Sequence, residues 1–129
     1  MQVLATSSDV LGDLDAVSIS RRIAAGDFSA VEAVNAAIAR LRAVEPLLHA
    51  VVCERFEQAL AEASVLSPAA PAGLLAGVPS LIKDNTDLAG SPTRHGSRGT
   101  SAGPVAADSE FTLVFRATGL IPIAKSSLP

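Results

Sequence analysis

The chain has 129 residues, with 10 Lys and Arg against 13 Asp and Glu and a single cysteine. Leu, Val, Ile and Phe number 15, 12, 6 and 4, well above the roughly 20% share below which disorder is expected. A net charge of −3 and the lack of Trp and Tyr argue against the basic footprint and the aromatic platforms of nucleic-acid binders, and one cysteine excludes a disulfide framework or a cysteine-based zinc cluster.

That length suits one small domain or a piece of a larger one. Residues 1–9 carry no Lys or Arg, so the positive stretch that opens a signal peptide is missing. No apolar run approaches the roughly 20 residues of a membrane helix. A reduced, cytoplasmic setting without membrane contact is the expectation.

The first half reads as helices. Asp15 is a plausible N-cap for a helix over residues 16–25, with Ile19 and Ile23 on one face and Gly26 placed to end it. Ser29-Ala30-Val31-Glu32 has the form of a capping box. It predicts a helix over 30–44 with a Val34, Ile38, Leu41 stripe, Arg40 and Arg42 near its negative end, and Pro46 as its stop. An apolar run over 47–53, interrupted by His49, leads to a third helix over 54–64 with Phe56 and Leu60 inward. Residues 67–73 read as a linker by their Pro, Ala and Gly content.

The second half changes character. Val78 to Ile82 reads as a buried strand, with Pro79 near its start. Glycines and prolines punctuate residues 85–104 as a loop. Asp108 is a fair N-cap for a helix over 109–118, with Phe111, Val114 and Phe115 apolar and Gly119 at its end; residues 120–124 read as a second strand. Strand, helix, strand implies an α/β sheet with a parallel pair. Two strands do not make a stable sheet alone, so the pair calls for neighbours. The fold class is therefore α/β: an N-terminal helical segment, residues 13–66, then a piece of a larger mixed sheet over 74–129. Charged side chains are expected at solvent-facing positions throughout.

Lys83 is the most informative residue. A lysine at the end of a buried strand can be held partly out of water, and desolvation lowers its pKa by penalising the charged form. Moving it from about 10.4 to about 7 or 8 costs roughly 3–5 kcal/mol. A neutral lysine is then a competent base for a serine hydroxyl. The plain alternative is a strand-end lysine with its ammonium in water. Asp84, Asn85 and Asp87 are oxygen-rich but lack the spacing of a calcium loop, and capping of a turn explains them. Residues 96–101, near Arg94 and Arg98, match no phosphate-loop pattern. His49 and His95 have no partner at metal-ligand spacing, and Cys53 beside Val51 and Val52 reads as a small buried hydrophobe. The sequence calls for no cofactor and no metal.

Leu75-Ala76-Gly77-Val78-Pro79-Ser80-Leu81-Ile82-Lys83-Asp84-Asn85 resembles the lysine motif of the amidase signature family. Gly26-Asp27-Phe28-Ser29 with the Ala-rich helix after it, Val44-Glu45-Pro46, and Ala50-Val51-Val52 are similar to that family's N-terminal segment. Gly96-Ser97 resembles its Gly-Ser pair, and Ala124-Lys125-Ser126 its Gly-Lys-Thr. His49 stands where the family often has Asn, and Thr118 and Ala124 replace the usual Ala and Gly. The resemblance covers residues 13–129. It implies the amidase signature fold and hydrolysis of a small-molecule amide by a Ser–cisSer–Lys relay, with Lys83 as the base and supporting hydrogen bonds from Asp84 and Ser97. The family's Gly/Ser-rich run, which holds both serines, would begin after Pro129. The resemblance thus implies an incomplete amidase, inactive alone, completed by the remainder of the fold or by a homo-oligomer. Two other expectations stand beside it: a truncated piece acting through interactions, with exposed strand edges that favour association, and a Schiff base on Lys83.

Overall fold

A computed structural model describes residues 8–68 and 73–129. The reading of the first residues as free of a signal stretch, and most of the 67–73 linker, lie outside the described residues.

The first helix, α1 (Ala16–Ala25), is closed at both ends as its sequence predicts. The Asp15 carboxylate accepts the Ser18 N–H, and Gly26, at φ 78°, donates to the Arg22 and Ile23 carbonyls. Ile19 and Ile23 are buried. Next, α2 (Ala30–Leu48) opens on the capping box: Ser29 Oγ accepts the Glu32 N–H at 3.1 Å, and the Glu32 carboxylate accepts the Ser29 N–H at 2.7 Å.

Pro46 does not stop α2. A proline removes the bond its N–H would make one turn back, yet the helix runs two residues past it, to Leu48. The Glu45 carboxylate gathers the chain beyond it, accepting the Ala50 and Val51 N–H groups at 3.1 Å each. His49 ends the helix at φ 48°. This extension takes Arg40 and Arg42 away from the helix end. Arg40 instead holds Asp9 through two bonds of 2.7 and 2.6 Å and donates to the Gly12 carbonyl. Arg42 stacks 4.9 Å over the Phe56 ring.

The run after His49 forms a strand, β1 (Val51–Glu54), followed by α3 (Phe56–Ser64). Phe56, Ala59 and Ala63 are buried in α3, with Leu60 partly so. Then come β2 (Pro79–Lys83), α4 (Glu110–Ala117) and β3 (Ile121–Ser126). The sheet order is β1-β3-β2, with β2 parallel and β1 antiparallel to the central β3. The neighbour that two strands needed thus comes from within the segment read as a helical arm. Pro79 takes the first position of β2, where a missing N–H costs least.

Five further expectations are corrected. Of β2, only Ile82 is buried, because one face of the strand is uncovered. Ser109, not Asp108, caps α4, accepting the Thr112 N–H, and Asp108 instead accepts the Ala89 N–H at 2.7 Å. Thr112 is the buried residue of α4, donating to the Asp87 carbonyl at 2.6 Å, while Phe111, Leu113 and Val114 are exposed. Cys53 is only half-buried, since β1 is an edge strand. Charge is not confined to the surface either: Arg55, Asp84 and Lys125 are buried.

Candidate active site

Because β2 and β3 are parallel, both end at one edge of the sheet, with Lys83 opposite Ser126 and Ile82 opposite Lys125. The pleat alternates side chains between faces, so Ile82 and Lys125 share one face and Lys83 and Ser126 the other. Open α/β sheets take ligands outside the carboxyl ends of their strands, and Lys83 is the last residue of β2.

Lys83 is exposed. Its ammonium meets no carboxylate or hydrogen-bond acceptor among the described residues. The sheltered amine expected from the sequence is therefore not produced by these residues. Leu81, two residues earlier on the same face, is likewise 40% exposed, so this face of β2 is uncovered here.

The sheltered lysine is Lys125. Its side chain is wholly buried, and Nζ donates to the Pro92 carbonyl at 2.6 Å and to Thr93 Oγ1 at 2.9 Å. Asp84 Oδ1 lies 3.4 Å away. Asp84, adjacent to Lys83, is 1% exposed. Its carboxylate also accepts the Arg94 N–H at 3.2 Å and the Gly96 N–H at 3.5 Å, and its carbonyl accepts the His95 N–H at 3.3 Å. Burying a charge is costly unless it is paired and hydrogen-bonded, and here every buried polar side-chain atom among the described residues has a partner. Lys125 had the same sequence signature as Lys83, a lysine closing an apolar run, and could have been singled out on that ground.

The other candidates serve the loop. Ser97 is exposed, and its hydroxyl accepts the Gly99 N–H at 3.0 Å. Thr100 Oγ1 reaches the Arg94 and Ser97 carbonyls at 2.9 and 3.0 Å, so residues 94–100 hold themselves in a compact turn. His95 takes φ 51° within it. Asn85 accepts from the Thr86 hydroxyl at 3.3 Å. His49 is exposed at the end of α2 rather than held in the apolar run. Among the described residues no group of three or more His, Cys, Asp or Glu is placed to hold a metal, and no helix is long and apolar enough to cross a membrane.

Comparison with known proteins shows the family to which the chain belongs. Residues 32–129 match the family described as Amidase. The chain is 41% identical over 127 residues to the "Putative amidase AmiC" of Mycobacterium leprae (strain TN), an alignment covering 98% of this chain and 26% of that protein. The native peptide amidase from Stenotrophomonas maltophilia superposes with a TM-score of 0.82 at 25% identity, over 92% of this chain and 26% of that one. A 6-aminohexanoate cyclic dimer hydrolase superposes with a TM-score of 0.79 at 30% identity, over 90% of this chain and 24% of that one. The chain spans about a quarter of the length of the relatives it matches.

Proposed function

Since the chain belongs to the amidase (amidase signature) family, we propose that it is the lysine-bearing segment of an amide hydrolase and that Lys83 is the base of its reaction. The observation that carries this reading is a contrast between neighbours. At the carboxyl edge of the parallel strands, Asp84 and Lys125 are buried against each other. Lys83 is left exposed on the opposite face with its amine unengaged by the described residues.

In the relay implied by the resemblance, neutral Lys83 draws a proton through one serine from a second serine. The second serine's oxygen attacks the amide carbonyl. Collapse of the tetrahedral species expels the amine, which takes up the proton, and water then cleaves the ester. Both serines and the groups that would shelter Lys83 from water belong, on this reading, to polypeptide outside these 129 residues. The 129-residue chain alone is then inactive. The helical part over 13–66, the linker over 67–73 and the sheet-bearing part over 74–129 act as pieces of one amidase domain, in a cytoplasmic setting. Asp84 supports Lys83 through the backbone, and Ser97 supports the neighbouring turn.

A non-catalytic interaction piece is the second reading, favoured by the exposed Phe111, Leu113 and Val114 of α4. One experiment separates the two: ammonia release from a panel of primary carboxamides by the full polypeptide that carries this segment. Turnover that falls by about 10²–10⁴-fold in Lys83→Met supports the enzyme. Absence of turnover on every amide, or full turnover in Lys83→Met, overturns it.

A further inference from the structure

We propose that the buried Asp84–Lys125 pair is a positioning device for Lys83, fixing the direction in which its amine leaves the sheet. The proposal rests on the amidase reading above. Asp84 follows Lys83 directly, so whatever holds Asp84 sets the backbone from which the Lys83 side chain projects. Five attachments hold it. Its N–H donates to the Ser126 carbonyl at 3.0 Å, and its carbonyl accepts from His95 at 3.3 Å. Its carboxylate takes two backbone N–H groups from residues 94 and 96 and faces the Lys125 ammonium at 3.4 Å.

Lys125 completes the device from the other side. It stands on β3, opposite Ile82, and its ammonium also ties down the Pro92 carbonyl and the Thr93 hydroxyl. The ammonium thus joins three pieces of chain: the central strand, the residue after Lys83, and the 92–96 segment that folds back over it. The pleat sends Lys83 to the face opposite this buried knot. The knot therefore acts on Lys83 through the main chain, without touching it or a substrate. Reaction geometry is unforgiving at this scale, since a displacement of about 1 Å can cost roughly 10²-fold in rate.

The test is a set of double-mutant cycles in the full polypeptide, reading kcat and KM on one primary amide. Lys125→Met and Asp84→Asn are each expected to lower kcat by about tenfold or more in the presence of Lys83, with KM within about twofold. In a Lys83→Ala background the same substitutions are expected to change the residual turnover by less than about twofold, because a residue that acts through Lys83 has nothing left to act on. Thr93→Val, which removes only one hydroxyl from the knot, provides a milder variant should Lys125→Met fail to fold, and a smaller loss that likewise vanishes with Lys83→Ala is expected. Equal losses in both backgrounds, or no loss in either, overturn the positioning role. If Lys83→Ala itself leaves turnover intact, the amidase reading of Lys83 fails first, and the two failures are told apart by that single variant.

Discussion

The Glu62 carboxylate accepts from the Arg55 guanidinium at 2.6 Å, and the same oxygen takes Arg116 at 2.9 Å. Arg55 is buried and also donates to the Pro122 carbonyl at 2.5 Å. Arg116 goes on to Asp108 at 3.3 Å, whose other oxygen accepts from Ala89. One carboxylate on α3 thereby ties α4 and the central strand together. Removing it leaves a buried cation short of its counter-charge, at a cost of about 1–3 kcal/mol. Glu62→Ala is expected to lower the urea midpoint accordingly and Glu62→Gln to lower it less. A midpoint unchanged in Glu62→Ala shows that Arg55 is satisfied without it.

His49 holds a left-handed conformation at φ 48°, ψ 43°, is exposed, and donates its N–H to the Glu45 carbonyl. That conformation costs an L-residue about 1–2 kcal/mol, and glycine escapes the cost. His49→Gly is therefore expected to stabilise the fold by about 1 kcal/mol, His49→Asn to be neutral or mildly stabilising, and His49→Val to destabilise. Thermal melting ranks the three, and a lower melting temperature for the glycine variant contradicts the strain argument.

Gly77 and Gly26 share a positive φ, 83° and 78°, but differ in surroundings. A Cβ on Gly77 would lie 2.8 Å from Ile23 Cδ1 and 3.0 Å from Ala30 Cβ, whereas one on Gly26 meets nothing within 4 Å. Gly26→Ala is expected to carry the backbone cost alone, about 1–2 kcal/mol. Gly77→Ala adds crowding between the β2 approach and α1 and α2, a further 1–3 kcal/mol or so. Chemical denaturation of the two variants side by side measures the difference, and equal losses remove the crowding term.

These positions show what the sequence makes legible. Caps and periodicity are local, so Asp15, Gly26, Ser29 and Glu32 could be read one turn at a time, and all behave as read. Pro46 misled because the Glu45 side chain gathers the N–H groups of the chain just beyond the helix, and nothing local to the proline announces that. β1 escaped notice because an edge strand of four residues declares itself only through its partner, which lies some seventy residues along the chain. The pairing of the buried charges was hidden for the same reason. Lys125 and Asp84 are far apart in sequence and meet only when β2 and β3 align. For Lys83, the strand-end placement was local and legible, while its shelter depends on what covers the uncovered face of β2.

Acid sensitivity at the start of α2 follows from the capping box. The Ser29 backbone N–H, and then its hydroxyl, hold the Glu32 carboxyl below its ordinary value of 4.5, against a small opposing effect of burial. A carboxylate depressed in the folded state contributes stability that is fully present above its unfolded pKa and is lost as the pH falls through its folded one. The first turn of α2 is therefore expected to keep its cap at neutral pH and to loosen only on acidification below 4.5. A proton-detected titration of the Glu32 carboxyl checks this directly, with a midpoint under 4.5 expected. Ser29→Ala should move that midpoint upward without returning it fully, since the backbone N–H still donates. Glu32→Gln should abolish the acid-dependent loss of protection at the Ser29 amide. A Glu32 midpoint at or above its ordinary value contradicts the reciprocal cap.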